Sequence, residues 1–299
     1  MLLFLNYWKL LKQHWACRKS DFMKIIHRVG INLKIHSNAA KEFENEKMKM
    51  KIIGNEKIGF HGFFDISESD ARWPKVKKIL ECEGLFYTVT NAVFTKKEIK
   101  SAKWIYIGPD YMCGYPMPDG YAEYEDISFT GDKQCSSCGI GLEQKAPIHL
   151  KGEPKMGKKS FMSIFWTYNI FATSAVFEIM AKNGITGYDP LPAIHQRKNT
   201  NLKTVMQLSV PRKLDMSIID DNLVRDKNPC GHLKYNVLTR GIMRFPRQAF
   251  KDMPDFVQTR DWFGSGHSAF RLILASAKFV KIYMENKWKG LSLSPVELV

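Results

Sequence analysis

The chain has 299 residues, 44% of them hydrophobic, enough for one large core or two modest ones. Its six cysteines, Cys17, Cys82, Cys113, Cys135, Cys138 and Cys230, are too few and too spread to frame a disulfide-dense domain. The net charge of +15 comes mostly from scattered lysines without an Arg/Lys stripe or an RNA-binding motif, so it reads first as a solvated surface.

The apolar run Met1–Leu5 is interrupted by Asn6, Lys9, Lys12 and His14. It falls well short of the roughly 20 apolar residues a membrane span needs. Its positive residues follow the apolar run instead of preceding it, unlike a signal peptide. Residues 1–57 therefore read as a peripheral extension, with 35–57 as a linker or exposed helix, and the folded part begins near Ile58.

Pro74 suits the first turn of a helix running to about Leu80, and 84–90 reads as a strand. Thr95-Lys-Lys-Glu98 fits a capping box that opens a short helix, and Trp104–Ile107 follows as a strand. Residues 108–126, rich in Gly, Pro, Tyr and Asp, read as loop or edge strand. The acidic group Asp119, Glu123, Glu125 and Asp126 in that segment reads as a solvated or partner-contact face.

Ser160–Asn183 contains the longest helix candidate, with an apolar face from Phe171 to Met180 and Gly184 as its stop, and 204–210 reads as a strand. At the C-terminal end, 270–275 reads as a strand and Ser276 caps a helix toward Trp288. Gly290 stops that helix and Leu291–Leu298 closes a β-α-β unit. Trp73, Trp104, Trp166, Trp262 and Trp288 are expected in the core or half-buried. Strands and helices mix without strict alternation, which predicts an α+β fold: a mixed sheet with packed helices. The predicted regions are 1–57, 58–130 and 131–299.

Cys135-Ser-Ser-Cys138-Gly139 is the strongest chemical signal. Such a turn presents two thiolates to one tetrahedral ion, and its glycine lets the backbone fold beneath the sulfurs. Cys230 supplies a candidate third ligand. The fourth is open among His232, two residues further on, Cys113, His149 and His195. Lys227 stands where a second Cys-x-x-Cys would have its first cysteine. A closed four-ligand zinc site would be structural. A Cys-x-x-Cys pair without a leader implies a reducing compartment, so the expected location is cytoplasmic.

Gly264-Ser-Gly-His267-Ser268 suggests a phosphate cradle or a Ser/His pair. It lacks the strand-turn-helix setting of a nucleophile elbow, so it reads as a structural turn and no catalytic residue is assigned.

The Cys135/Cys138 turn, the later Cys230-Gly231 and the ending Asp261-Trp-Phe-Gly-Ser-Gly…Phe270-Arg-Leu-Ile-Leu-Ala-Ser-Ala-Lys-Phe-Val280…Gly290…Pro295-Val296 together resemble the bacterial double-CXXCG motif family, over roughly residues 130–299. The second CXXCG is degenerate, reduced to Cys230. Members of that family include immunity proteins of polymorphic toxin systems. The resemblance implies a non-enzymatic immunity-type protein that binds and neutralises a cognate protein toxin; the zinc ligands expected from the residues themselves are Cys135, Cys138, Cys230 and His232. The competing expectation is a basic zinc-knuckle protein that binds nucleic acid. No membrane-spanning segment is expected.

Overall fold

A computed structural model describes residues 23–299, apart from 57–58, 86–88, 121–122 and 220. Of the segment 1–57 expected to be peripheral, residues 1–22, with Cys17, and residue 57 lie outside the described residues. The chain divides into two compact units, one up to Thr95 joined by Thr239–Gly241, the other comprising Lys96–Leu238 and Ile242–Val299.

The first unit contains β1 (Lys24–Asn32), α1 (Ser37–Asn45), β2 (Lys51–Asn55), β3 (Gly59–Ser67), α2 (Trp73–Cys82) and β4 (Val89–Val93). Its strands form an antiparallel sheet in the order β2-β3-β1-β4. Burial alternates along β1, so His27, Val29 and Ile31 point one way, opposite Ile66, Phe64 and Gly62 of β3. That face packs against Ala39 and Phe43 of α1 and Trp73, Val76, Ile79 and Leu80 of α2. Residues 24–55, expected to precede the folded part, thus supply two strands and a helix of this unit. The polar composition of 35–57 hides an amphipathic helix whose two buried residues, Ala39 and Phe43, lie four apart.

His27 is fully buried, stacked on Trp73 at 4.1 Å between ring centroids. Its Nδ1 lies 3.0 Å from Thr90 Oγ1 and its Nε2 2.8 Å from Glu68 Oε1. The Arg240 guanidinium also donates to Glu68. Burial alone would raise the Glu68 pKa, but the hydrogen bonds from His27 and Arg240 outweigh it and hold the carboxyl below its ordinary value. A depressed carboxyl pKa contributes stability above the unfolded pKa and loses it as pH falls through the folded one. The unit's protection against hydrogen exchange is therefore expected to weaken as pH drops below the ordinary glutamate range. Glu68→Gln should flatten that dependence, and an unchanged pH profile in the variant would refute the assignment.

The second unit contains α3 (Lys96–Ser101), β5 (Trp104–Pro109), β6 (Pro116–Met117), α4 (Glu123–Ser128), β7 (Phe129–Thr130), β8 (Glu143–Gln144), β9 (His149–Leu150), β10 (Phe161–Ser163) and β11 (Ile170–Thr173). There follow α5 (Ser174–Lys182), β12 (Asp189–His195), β13 (Thr200–Ser209), β14 (Met243–Phe245), β15 (Phe256–Gln258), β16 (Ile273–Ser276), α6 (Ala277–Glu285) and β17 (Leu291–Leu298). A six-stranded sheet runs β10-β11-β13-β12-β9-β6 and a five-stranded sheet β14-β17-β5-β16-β15. Both are mixed, since β9 pairs parallel with β12 and β14 parallel with β17. The architecture is α+β.

β16 and β17 do not pair with each other. Each lies antiparallel to β5, which runs between them. Ser276 Oγ accepts from Phe279 N at 3.3 Å at the start of α6. The helix ends at Glu285, before the expected Trp288, with Lys287 in a left-handed conformation. The helix expected within 160–183 is present only over Ser174–Lys182, and Ile170–Thr173, expected in its first turn, is a strand. Ile170, Phe171 and Ala172 are buried in β11 between β10 and β13, and an apolar run buried on both sides carries no period that separates strand from helix.

The five-stranded sheet is buried on both faces. Ile105, Ile107, Ile273 and Ala275 join Phe177, Met180, Phe279 and Tyr283 of α5 and α6 in one core. Trp104, Leu272, Leu274 and Val296 face a second core that includes Tyr235, Phe245, Phe250 and Phe263. Tyr235 and Phe263 from this second core anchor the two loops nearest the cysteine cluster.

Candidate metal centre

β7 and β8 pair as a short antiparallel ladder, Phe129 opposite Gln144 and Thr130 opposite Glu143. The segment they enclose carries Cys135 and Cys138. Cys135 N donates to Ile140 O at 2.8 Å, and Gly139 N donates to Cys135 O at 2.7 Å. Gly139 takes a φ of +75°, where a side chain is strained.

The second arm is the segment 224–236. Arg225 and Tyr235 form an antiparallel bridge, Asp226 N donates to Lys234 O at 2.8 Å, and Asn236 N donates to Val224 O at 2.9 Å. Cys230-Gly231-His232 lies at the tip, with Gly231 at φ +76° and Asn228 Nδ2 donating to His232 O at 3.3 Å.

The ligand atoms of Cys135, Cys138, Cys230 and His232 all lie within 4.8 Å of one another, so these four could hold a metal ion. His232 Nδ1 is 3.5 Å from Cys138 Sγ and 3.7 Å from Cys230 Sγ. A tetrahedral ion with bonds of about 2.3 Å to sulfur and about 2.05 Å to nitrogen requires an S···N edge of about 3.6 Å. The donor set fits such an ion in both chemistry and spacing. Of the fourth-ligand candidates, His232 joins the cluster; Cys113, His149 and His195 do not. His149 Nδ1 is instead paired with Gln196 Oε1 at 2.8 Å.

The thiols differ electrostatically. Backbone N–H groups of Ser137 and Cys138 point at Cys135 Sγ and bring its pKa down to about 6. Burial pushes Cys138 up to about 11, although Ile140 N–H donates to its sulfur. Cys138 is fully buried, whereas Cys230 and His232 are on the exposed side.

One participant carries no sequence signal. Lys234 is fully buried, and its ammonium donates to Cys138 O at 2.9 Å, Gly266 O at 2.5 Å and Ser268 O at 2.9 Å. Asp226 Oδ2 lies 3.4 Å away. A lysine has three N–H donors, and all three are used on carbonyls. Lys234 thus ties the Cys138 backbone to the Gly264–Ser268 loop. Two carbonyls of that loop are aimed at a buried cation, which accords with a structural turn.

Gly139 seals the same junction. A Cβ there would overlap the carbonyl oxygen of His267, on top of the left-handed φ. Gly139→Ala is expected to lower stability by roughly 2–4 kcal/mol, the left-handed penalty plus overpacking. Urea unfolding of the variant measures this, and a change within about 0.5 kcal/mol, typical of neutral surface substitutions, would count against the junction.

No protein-family model matches the chain, and no curated protein matches it. No described helix is long and apolar enough to cross a membrane.

Proposed function

We propose that Cys135, Cys138, Cys230 and His232 hold one structural Zn²⁺, and that the chain is a non-enzymatic immunity-type protein which binds and neutralises a cognate protein toxin. The observation that carries the metal half is the meeting of soft ligands from two segments, with Cys138 and His232 94 positions apart and 3.5 Å apart in space. Three thiolates and an imidazole complete a tetrahedron and leave no position for a substrate water, so the ion cross-links and does not catalyse. Thiolates held this way persist in a reducing compartment, which supports a cytoplasmic location.

The toxin-binding half is supported by the resemblance of the Cys135 turn, Cys230-Gly231 and the C-terminal run to the double-CXXCG family. Inhibition then comes from surface complementarity, and the net charge of +15 favours encounter with a partner of overall negative charge. Co-expression with the product of the adjacent reading frame tests it: restored growth is expected, and continued killing by a toxic neighbour would overturn it. The same charge favours one competitor, nucleic-acid binding. That reading requires affinity for generic DNA or RNA that falls steeply with salt.

A further inference from the structure

The second unit carries a group of aromatic residues that reach its surface. Tyr115, Phe165 and Trp166 are exposed, Trp166 at 53%, whereas the neighbouring Tyr168 stacks its ring on Phe270. Tyr115 lies 4.9 Å from Phe165 and 4.7 Å from Trp166 between ring centroids. Beneath them, Trp166 contacts the buried Tyr124, and Tyr124 contacts Phe129, each at 6.2 Å. Phe129 in turn lines a cavity with Glu123, Glu125, Asp126, Gln134 and Lys145.

Trp166, expected at least half-buried, is the correction that exposes this face. Its backbone φ of +69° costs about 1–2 kcal/mol for a side chain that stays mostly in water. Exposed Trp and Tyr grouped this way have the composition of an interface centre. The neighbouring carboxylates define what it fits. None of the ion pairs among the described residues involves Glu123, Glu125 or Asp126, and Lys145 is the one cation lining the cavity. A local acidic pocket on a chain of net charge +15 is complementary to a cation.

We propose that this face docks a segment of a protein partner bearing arginine or lysine side chains. The rings take the guanidinium planes and aliphatic stems by stacking and cation–π contact. The carboxylates of Glu123, Glu125 and Asp126 take the charge. A nucleic acid would bring phosphates against those carboxylates. The inference rests on the reading of the chain as a binding protein and names the surface that does the binding.

The test uses the full zinc-loaded chain and a fluorescein-labelled nona-arginine peptide, followed by anisotropy, with a nona-glutamate peptide as control. Wild type is expected to bind nona-arginine in spite of its own positive charge. The double variant Tyr115→Ala/Trp166→Ala should bind about ten-fold more weakly or worse, and Glu123→Gln/Asp126→Asn should weaken binding and flatten its salt dependence. Zinc content and circular dichroism should match wild type in both variants. No binding by wild type, or equal binding by well-folded variants, would overturn the proposal. So would tighter binding of nona-glutamate or of a DNA oligonucleotide that Trp166→Ala abolishes, or a wild-type dimer that Trp166→Ala dissociates. Toxin neutralisation that survives the aromatic double variant would remove this surface while leaving the immunity-type reading intact.

Discussion

Cys138→Ser is expected to release the metal and lower the melting temperature by about 10–15 °C. An ion held there would close a loop of 94 positions between Cys138 and His232. A covalent cross-link across about 100 residues stabilises by roughly 4–5 kcal/mol, and each kcal/mol shifts the melting of a unit this size by about 2–4 °C. The full binding energy of a structural zinc in a small finger is larger, but those peptides are unfolded without metal, whereas the second unit has three cores of its own. Cys230→Ser and His232→Ala should behave alike. His232→Cys should retain the ion, because a fourth thiolate suits zinc equally well. Cys113→Ser, outside the cluster, should change neither metal content nor melting. Thermal melts of each variant with and without chelator measure all of this. A Cys138→Ser protein that melts like wild type and is insensitive to chelator would defeat the staple.

Lys234→Met is expected to cost about 3–5 kcal/mol, the range for breaking a buried charged contact by removing one partner. The loss strands three carbonyls, of Cys138, Gly266 and Ser268, together with the Asp226 carboxylate. Because one of those carbonyls belongs to a ligand residue, zinc affinity should also fall, by about 10–100-fold, the range for outer-shell partners. Three thiolates, one imidazole and Zn²⁺ would carry a net charge of −1, which the Lys234 ammonium would offset. Lys234→Arg should not rescue, since a planar fork does not reproduce three converging donors in the same volume. Urea unfolding of the zinc-saturated protein and competition with a colorimetric chelator separate the two effects. A variant within about 1 kcal/mol of wild type and with unchanged zinc affinity would show that the cage is dispensable.

Local chemistry was legible in the sequence where it acts over a few residues. The Ser276 cap, the Pro74 helix start and the glycine beneath the Cys135 turn each depend on neighbours within a turn, and each is where the spacing places it. Long-range choices were not legible. Proximity to Cys230 favours His232 over Cys113, His149 or His195, but its meeting with Cys135 and Cys138 depends on the 224–236 segment folding back over the 131–142 loop, which no local pattern shows. Lys234 was hidden for a different reason: lysine is almost never fully buried, so one among many reads as surface. The β11 error and the missed strand β1 share one cause. Both segments lie inside sheets whose partners are distant in sequence, Thr200–Ser209 for β11 and Gly59–Ser67 with Val89–Val93 for β1. Trp166 erred in the other direction, since hydrophobicity alone does not reveal an aromatic residue kept for the surface.

The central claim is that four residues bind one ion. Titration of the metal-free chain with Co²⁺, read by visible absorption, tests it most directly. The account predicts saturation at one equivalent, intense d–d bands of a tetrahedral site with thiolate charge-transfer absorption, displacement by Zn²⁺, and loss of the spectrum in Cys135→Ser. Weak octahedral bands, or a spectrum that survives Cys135→Ser and His232→Ala unchanged, would contradict it.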